Sequence, residues 1–201
     1  MTIAVLDYDM GNLRSVARAL EHVGGKPEVT DDPRTALGAS ALVVPGVGHF
    51  GACMRNLRDR GLDTVVTSFA ASGRPVFGVC VGMQVLFDSS EEAPEPGLGL
   101  FPGRSRLLPE DVKVPHMGWN TVEWLGPHPY TRDVPSGTRL YFVHSFAPDV
   151  GPDTIGATEH GRPFTAAAAR DNVFATQFHP EKSGEPGLQL YEAFVLEVGS
   201  S

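Results

Sequence analysis

Apolar residues in this chain follow two rhythms. Residues 3–8, 41–44 and 75–79 form short, nearly unbroken apolar runs, the pattern of strands buried on both faces. Between these runs, apolar positions recur every three or four residues. Leu13, Val16, Ala17, Leu20 and Val23 make one such stripe, which Asn12 is placed to cap and Gly24-Gly25 to stop. Residues 50–60 and 62–71 predict two further helices separated by Gly61, and residues 83–87 predict the beginning of another. Strands alternating with helices point to a parallel sheet covered on both faces.

After Phe87 the pattern changes. The stretch SSEEAPEPGLGLFPG, rich in Pro and Gly, reads as a loop. From Leu107 the chain is β-rich. RLYFVHSF reads as a strand, and TIGATEHGRPFTAAAARDNVFATQFHP as three strands with turns at His160-Gly161 and Asp171-Asn172. Leu188, Tyr191, Phe194, Val195 and Val198 then return to helical spacing and predict a closing helix over residues 187–198. No repeat or linker divides the chain. The expectation is one domain over residues 1–201, an α/β three-layer sandwich whose central, mostly parallel sheet carries an antiparallel extension.

Composition narrows the function classes. A length of 201 residues with 41% hydrophobic content supports one sizeable core. A formal net charge of −8 and the absence of any Lys/Arg run argue against nucleic acid as the main partner. The opening MTIAVLDYD has no basic segment and its apolar run ends at Asp7, which is unlike a signal peptide. No window approaches the ~18 apolar residues of a membrane span. Two cysteines, Cys53 and Cys80, make no disulfide framework and would be free thiols in a reducing compartment. A cytoplasmic protein is expected.

The chemistry concentrates in three short motifs. GVCVG, residues 78–82, sets Cys80 between glycines where a predicted strand gives way to a helix-like run. That is the pattern of a nucleophile elbow, in which small flanking residues avoid collision across a sharp turn. A helix N-terminus behind the sulfur favours thiolate. A buried structural cysteine is the competing reading. HPE, residues 179–181, follows another predicted strand. In extended backbone, side chains two apart point the same way, so Glu181 can orient His179 as a general base for Cys80. PGVG, residues 45–48, follows a third strand and offers the N–H of Val47, together with that of Val81 after the nucleophile, as oxyanion donors. An ordinary β-turn is the alternative for PGVG. Cys53 lies at helical spacing without an elbow and reads as packing. His116, His144 and His160 show no metal-ligand spacing, and neither metal nor cofactor is expected.

Taken together, these motifs resemble the class I (triad) glutamine amidotransferases. Within that family the finer resemblance is to glutaminase subunits that serve a cyclase of histidine biosynthesis. It is carried by DYDMGNLRSV, PGVGHFGACMRNL, GVCVGMQVLF, VPHMGWN, YFVHSF and QFHPEKSGEPGL, which span almost the whole chain. The resemblance implies a flavodoxin-like (Rossmann-like) fold and hydrolysis of L-glutamine through Cys80, His179 and Glu181. It also implies that Gly46, Gln84, Ser145 and Phe146 bind the amino-acid end of the substrate. The implied partner is a cyclase subunit with a (β/α)8-barrel fold, forming a heterodimer. That cyclase uses the ammonia to make imidazole glycerol phosphate and an aminoimidazole carboxamide ribotide. Met117 and Trp119 have the character of interface anchors, although Trp119 fits a core position equally well. Asn12 and Lys182 are interface positions by resemblance alone. Relatives often carry Gly at position 9, a small residue at 49 and Leu at 81, where this chain has Asp9, His49 and Val81.

Two other readings share parts of this pattern. One is the glutaminase of pyridoxal phosphate synthase or a γ-glutamyl hydrolase, against which VPHMGWN argues. The other is a non-catalytic protein of the same fold with Cys80 as a redox sensor, which would have no use for the His179-Glu181 pair.

Overall fold

The computed structural model describes residues 1–200. In chain order, β1 (Ile3–Leu6) leads to α1 (Leu13–His22), β2 (Pro27–Thr30), α2 (Pro33–Gly38), β3 (Ala41–Gly46), α3 (Phe50–Asp59), α4 (Leu62–Ala71), β4 (Val76–Cys80) and the single turn α5 (Val81–Gln84). Then come β5 (Phe87–Ser90), β6 (Phe101–Leu107), β7 (His116–Trp124), β8 (Thr138–His144), β9 (Phe146–Pro148), β10 (Thr154–His160), β11 (Arg162–Arg170) and β12 (Val173–Thr176). The last helix is α6 (Gly184–Ser200).

The main sheet runs in the order β2-β1-β3-β4-β12-β11-β10-β7-β8. From β2 to β12 every neighbouring pair is parallel, and from β12 to β8 every pair is antiparallel. All residues of β1, β3, β4 and β12 are buried, as the unbroken apolar runs require. Helices cover them in two groups: α1 packs with α6, and α4 packs with α2 and α3. A small second sheet, β5-β6-β9, leans on the antiparallel half through β9 and β11. The α/β sandwich with its antiparallel extension matches the expectation, as do the three strands with turns near His160 and Asp171.

Several local expectations change. The helix expected to begin within residues 83–87 starts at Val81 instead and ends at Gln84. The carbonyls that would continue it are taken from outside: Leu98 N–H bonds to Val85 O at 2.8 Å, Leu100 N–H to Leu86 O at 2.8 Å and Gly97 N–H to Asp88 O at 2.8 Å. The chain therefore leaves α5 after one turn; Leu86 is buried in the turn that follows, and Phe87 and Phe101 are buried as partners in the second sheet. The predicted loop over residues 89–103 consequently has strand at both ends. The edge strand β2 and the short α2 escape the periodicity because β2 is half exposed. Asp32 caps α2 by accepting from Thr35 N–H at 2.9 Å, with Pro33 at the first helical position.

The takeover of α5 depends on Gly97. A Cβ built there would lie 1.9 Å from the carbonyl oxygen of Phe87, which is backbone and cannot swing aside. Gly97→Ala is expected to destabilise the fold by about 3 kcal/mol or more, read as a lowered midpoint in urea denaturation followed by circular dichroism.

Candidate active site

The parallel sheet brings its strand ends together at one point. β3 and β4 pair with Gly46 opposite Cys80, and β12 lies on the other side of β4 with Thr176 opposite Val79. Residues just beyond these ends therefore meet at the carboxyl edge of the sheet, where open α/β folds bind ligands. Cys80 joins β4 to α5 with φ 56° and ψ −114°, a strained conformation for a residue with a side chain. Its neighbours make that turn possible by lacking side chains. A Cβ on Gly82 would lie 1.9 Å from the carbonyl oxygen of Val44, and one on Gly46 would lie 2.3 Å from the amide nitrogen of Gly82. Only glycine admits this approach of β3 to α5, so the elbow reading of GVCVG extends to the glycine of PGVG. Gly46 serves that contact and does not line the cavity described below.

His179 arrives from β12. Its N–H donates to Tyr141 O at 2.9 Å, which ties it to β8. The backbone beyond it is not extended as the motif suggested; Pro180–Lys182 form a tight 3-10 turn. The turn still delivers Glu181 to the imidazole, with Oε1 2.8 Å from Nδ1. Nδ1 therefore donates, and Nε2 is the basic nitrogen. Both Nε2 and the second oxygen of Glu181 are buried without a protein partner. Burial opposes charge on His179, but the Cys80 sulfur and the Glu181 carboxylate outweigh it and raise the imidazole pKa to about 10.

Cys80 and His179 line one cavity of about 280 Å³. Gln84, Ser145 and Phe146 line it too, so three of the four expected substrate-binding residues lie there. The Gln84 amide donates to Phe146 O at 2.8 Å and to Gln177 Oε1 at 2.9 Å. Glu92 also lines the cavity and was not read from the sequence. It falls within the predicted loop and follows another Glu, so nothing in the pattern marks it. Its carboxylate accepts from Phe50 N–H at 2.6 Å.

PGVG is held by its own neighbours. Val47 N–H donates to Met10 O at 3.2 Å, the Tyr8 hydroxyl donates to Pro45 O, and the Cys53 thiol donates to Val47 O at 3.7 Å. In this conformation the Val47 N–H is thus spent on Met10, not directed into the cavity as an oxyanion donor. Cys53 is fully buried in α3, and burial pushes its thiol up to about 12, as a packing cysteine requires. His49 turns away from the cavity and caps α3, its Nδ1 accepting from Gly51 N–H at 3.1 Å. A small residue at that position would leave this donor without the cap.

The expected interface positions divide. Met117 is 59% exposed and Trp119 49% exposed, which removes the core reading of Trp119. Trp119 meets Tyr141 edge to face, and Lys182 Nζ lies 5.9 Å from the same tyrosine ring at the cavity rim. Asn12 stands at the first turn of α1, but its side chain forms no cap; it donates instead to Glu181 Oε1 at 3.5 Å. Among the described residues, no group of His, Cys, Asp and Glu is arranged to hold a metal ion, and no helix is long and apolar enough to cross a membrane.

Residues 4–198 match the family model described as glutamine amidotransferase class-I. The chain is 47% identical to imidazole glycerol phosphate synthase subunit HisH of Dechloromonas aromatica, over 96% of this chain and 95% of that protein. It is 48% identical to the subunit of the same name from Synechocystis, over 99% and 98% respectively. A solved glutamine amidotransferase superposes with a TM-score of 0.76 at 21% identity, covering 99% of each chain. The structure of PurLQS from Thermotoga maritima gives 0.75 at 21%, covering 98% of this chain and 97% of that one. At these identities the two structures speak to the fold alone.

The geometry also fixes how His179 titrates. Its folded pKa is raised above the ordinary 6.5, so the stability it contributes is complete below about pH 6.5 and is lost as pH rises toward about 10. Glu181→Gln removes one of the two groups holding the proton and lowers the midpoint. Adding Cys80→Ala leaves burial unopposed and takes it below 6.5. NMR titration of the imidazole in wild type and both variants checks the order.

Proposed function

The chain belongs to the class I glutamine amidotransferase family, and from that premise we propose that it is the glutaminase subunit of an imidazole glycerol phosphate synthase. It would hydrolyse L-glutamine to glutamate and ammonia and pass the ammonia to a cyclase subunit. The observation that carries this reading is the convergence of Cys80, on its strained elbow, and His179, held 2.8 Å from Glu181, on one cavity of about 280 Å³. Identity of 47–48% over almost the whole of relatives of that name supports the choice over other amidotransferase systems. A redox sensor would not need the buried His179–Glu181 pair.

The residues take the following parts. Cys80 Sγ attacks the side-chain carboxamide carbon and forms the C–S bond, while charge gathers on the carboxamide oxygen. His179 gives its proton to the nitrogen as the C–N bond breaks, and ammonia leaves. The now neutral Nε2 takes a proton from water, which attacks the thioester; the C–S bond breaks and glutamate leaves. Glu181 holds the tautomer and the positive charge throughout. Gln84, Ser145 and Phe146 supply polar groups for the amino-acid end, and the Glu92 carboxylate suits its ammonium.

The oxyanion needs backbone donors. Val81, the first residue of α5, has an N–H that helix geometry leaves free of an intrahelical acceptor. The N–H of Val47 is the second donor only once the Gly46–Val47 peptide turns away from Met10. A cyclase subunit with a (β/α)8 barrel, docked over Met117, Trp119 and Lys182, would favour that turn when its own ligand binds. Asn12, which donates to Glu181, is a further interface position in this reading. Docking also covers the cavity mouth, so ammonia is used before it is protonated. The chain acts as one amidotransferase domain, residues 1–201, without a cofactor. Its free thiols suit the cytoplasm.

With the cyclase present, Cys80→Ala is expected to lower glutamate release by about 10³-fold or more. Retained activity would overturn the assignment of the nucleophile. The isolated wild-type chain, with one oxyanion donor, should turn over about 10²-fold more slowly than the complex supplied with cyclase ligand. Equal rates would remove the role given to Val47.

A further inference from the structure

Gln177, which precedes the Phe178-His179 step at the end of β12, is fully buried and polar. Its backbone N–H is satisfied by Ala166 O at 2.8 Å, so the side chain is free to serve another purpose. That side chain runs between Gln84 and the Cys80 sulfur. Which end of each amide points where follows from one backbone carbonyl. Phe146 O can only accept, so the NH₂ end of Gln84 faces it at 2.8 Å. The second hydrogen of the same nitrogen then goes to Gln177, whose oxygen must face it at 2.9 Å. The NH₂ end of Gln177 is left on the other side, 3.6 Å from Cys80 Sγ.

The sulfur has one other polar neighbour with a fixed sign, the carbonyl of Val143 at 3.8 Å, to which a thiol can donate. The two neighbours want different states. A carbonyl suits S–H and repels S⁻, whereas an N–H donor suits S⁻. Gln177 is the fixed donor that opposes Val143.

Resting on the proposed reading of Cys80 as nucleophile, we propose that Gln177 is a further catalytic residue, whose side-chain N–H donates to the Cys80 sulfur while it carries negative charge. It acts twice. Before attack it holds the sulfur as thiolate beside the His179 imidazolium. In deacylation, as the C–S bond breaks and the electron pair returns to Sγ, it receives the leaving thiolate. Gln84 is the positioning residue that keeps the donor end of Gln177 turned toward the sulfur.

The test is the rate at which iodoacetamide alkylates Cys80 in the full chain at pH 7, read by mass spectrometry of the Cys80 peptide. Gln177→Met keeps length and bulk and removes the donor. Cys80 should be alkylated about threefold more slowly or less, because loss of thiolate outweighs the gain in nucleophilicity of an unbonded sulfur. Cys53, fully buried, is the internal control and stays unmodified in folded protein. Misfolding would speed the alkylation of both cysteines, opposite in sign to the expected result. Gln177→Leu, also without a donor, serves where Gln177→Met exposes Cys53. Unchanged or faster alkylation of Cys80 with Cys53 protected overturns the proposal. So does exposure of Cys53 in both variants, which would make Gln177 a structural residue. Because alkylation needs no turnover, failure of the nucleophile reading shows separately, as glutaminase activity retained in Cys80→Ala.

Discussion

The structure depends on a contact between two stretches of backbone. The end of β3 and the start of α5 approach so closely that neither Gly46 nor Gly82 could carry a Cβ, the second lying 1.9 Å from a carbonyl oxygen. With that approach made, α5 must start directly off β4, and the residue at the joint takes a positive φ. Cys80 is that residue. The strain at Cys80 is the cost of the contact, and the packed strands on either side hold it in place. The same contact lines up PGVG beside Cys80, because Gly46 is paired with Cys80 in register. Elbow, PGVG strand and sulfur are one construction.

The sequence makes some of this legible and hides the rest for identifiable reasons. Buried parallel strands are visible because both faces are apolar, and the elbow is visible because its glycines are adjacent to the cysteine. His179 and Glu181 are legible because only Pro180 separates partners that touch. What escapes depends on partners distant in sequence. The brevity of α5 is decided by residues 97–101, which take the carbonyls of the residues that follow it, Val85 to Asp88. The direction of the Val47 N–H is decided by Met10, and the side chain of Asn12 is claimed by Glu181 rather than by its own helix. Gln177 looks like any polar residue at a strand end until Phe146, 31 positions earlier, fixes the orientation of Gln84 and through it Gln177. Trp119 could not be assigned from composition, because an aromatic suits a core and an interface alike; exposure decides it.

The histidines show why partners, not residue type, carry the chemistry. His144 is buried, as His179 is, and lines the same cavity. Its Nδ1 donates to Phe146 O at 2.9 Å, which leaves Nε2 to accept from Nδ1 of His116 at 3.1 Å. The ring of His116 stacks on that of His160, with centroids 4.2 Å apart. These rings have one another for company, and no carboxylate. Burial, reinforced by the neighbouring rings, lowers His144 to about 3; burial, with His160, lowers His116 to about 4. Their effect on stability has the opposite sign to that of His179: complete above about pH 6.5 and lost as pH falls toward those values. Neutral at physiological pH, the pair serves as a fixed hydrogen-bonded strut from β7, which carries exposed Met117 and Trp119, to the carbonyl of Phe146. That carbonyl orients Gln84, and Gln84 orients Gln177. His179, placed between a sulfur and a carboxylate, is instead held in the charged form, the form the proposed proton transfer to leaving ammonia requires. One cavity thus contains a histidine that burial silences and one that its partners charge, and the difference lies in the two atoms each ring faces.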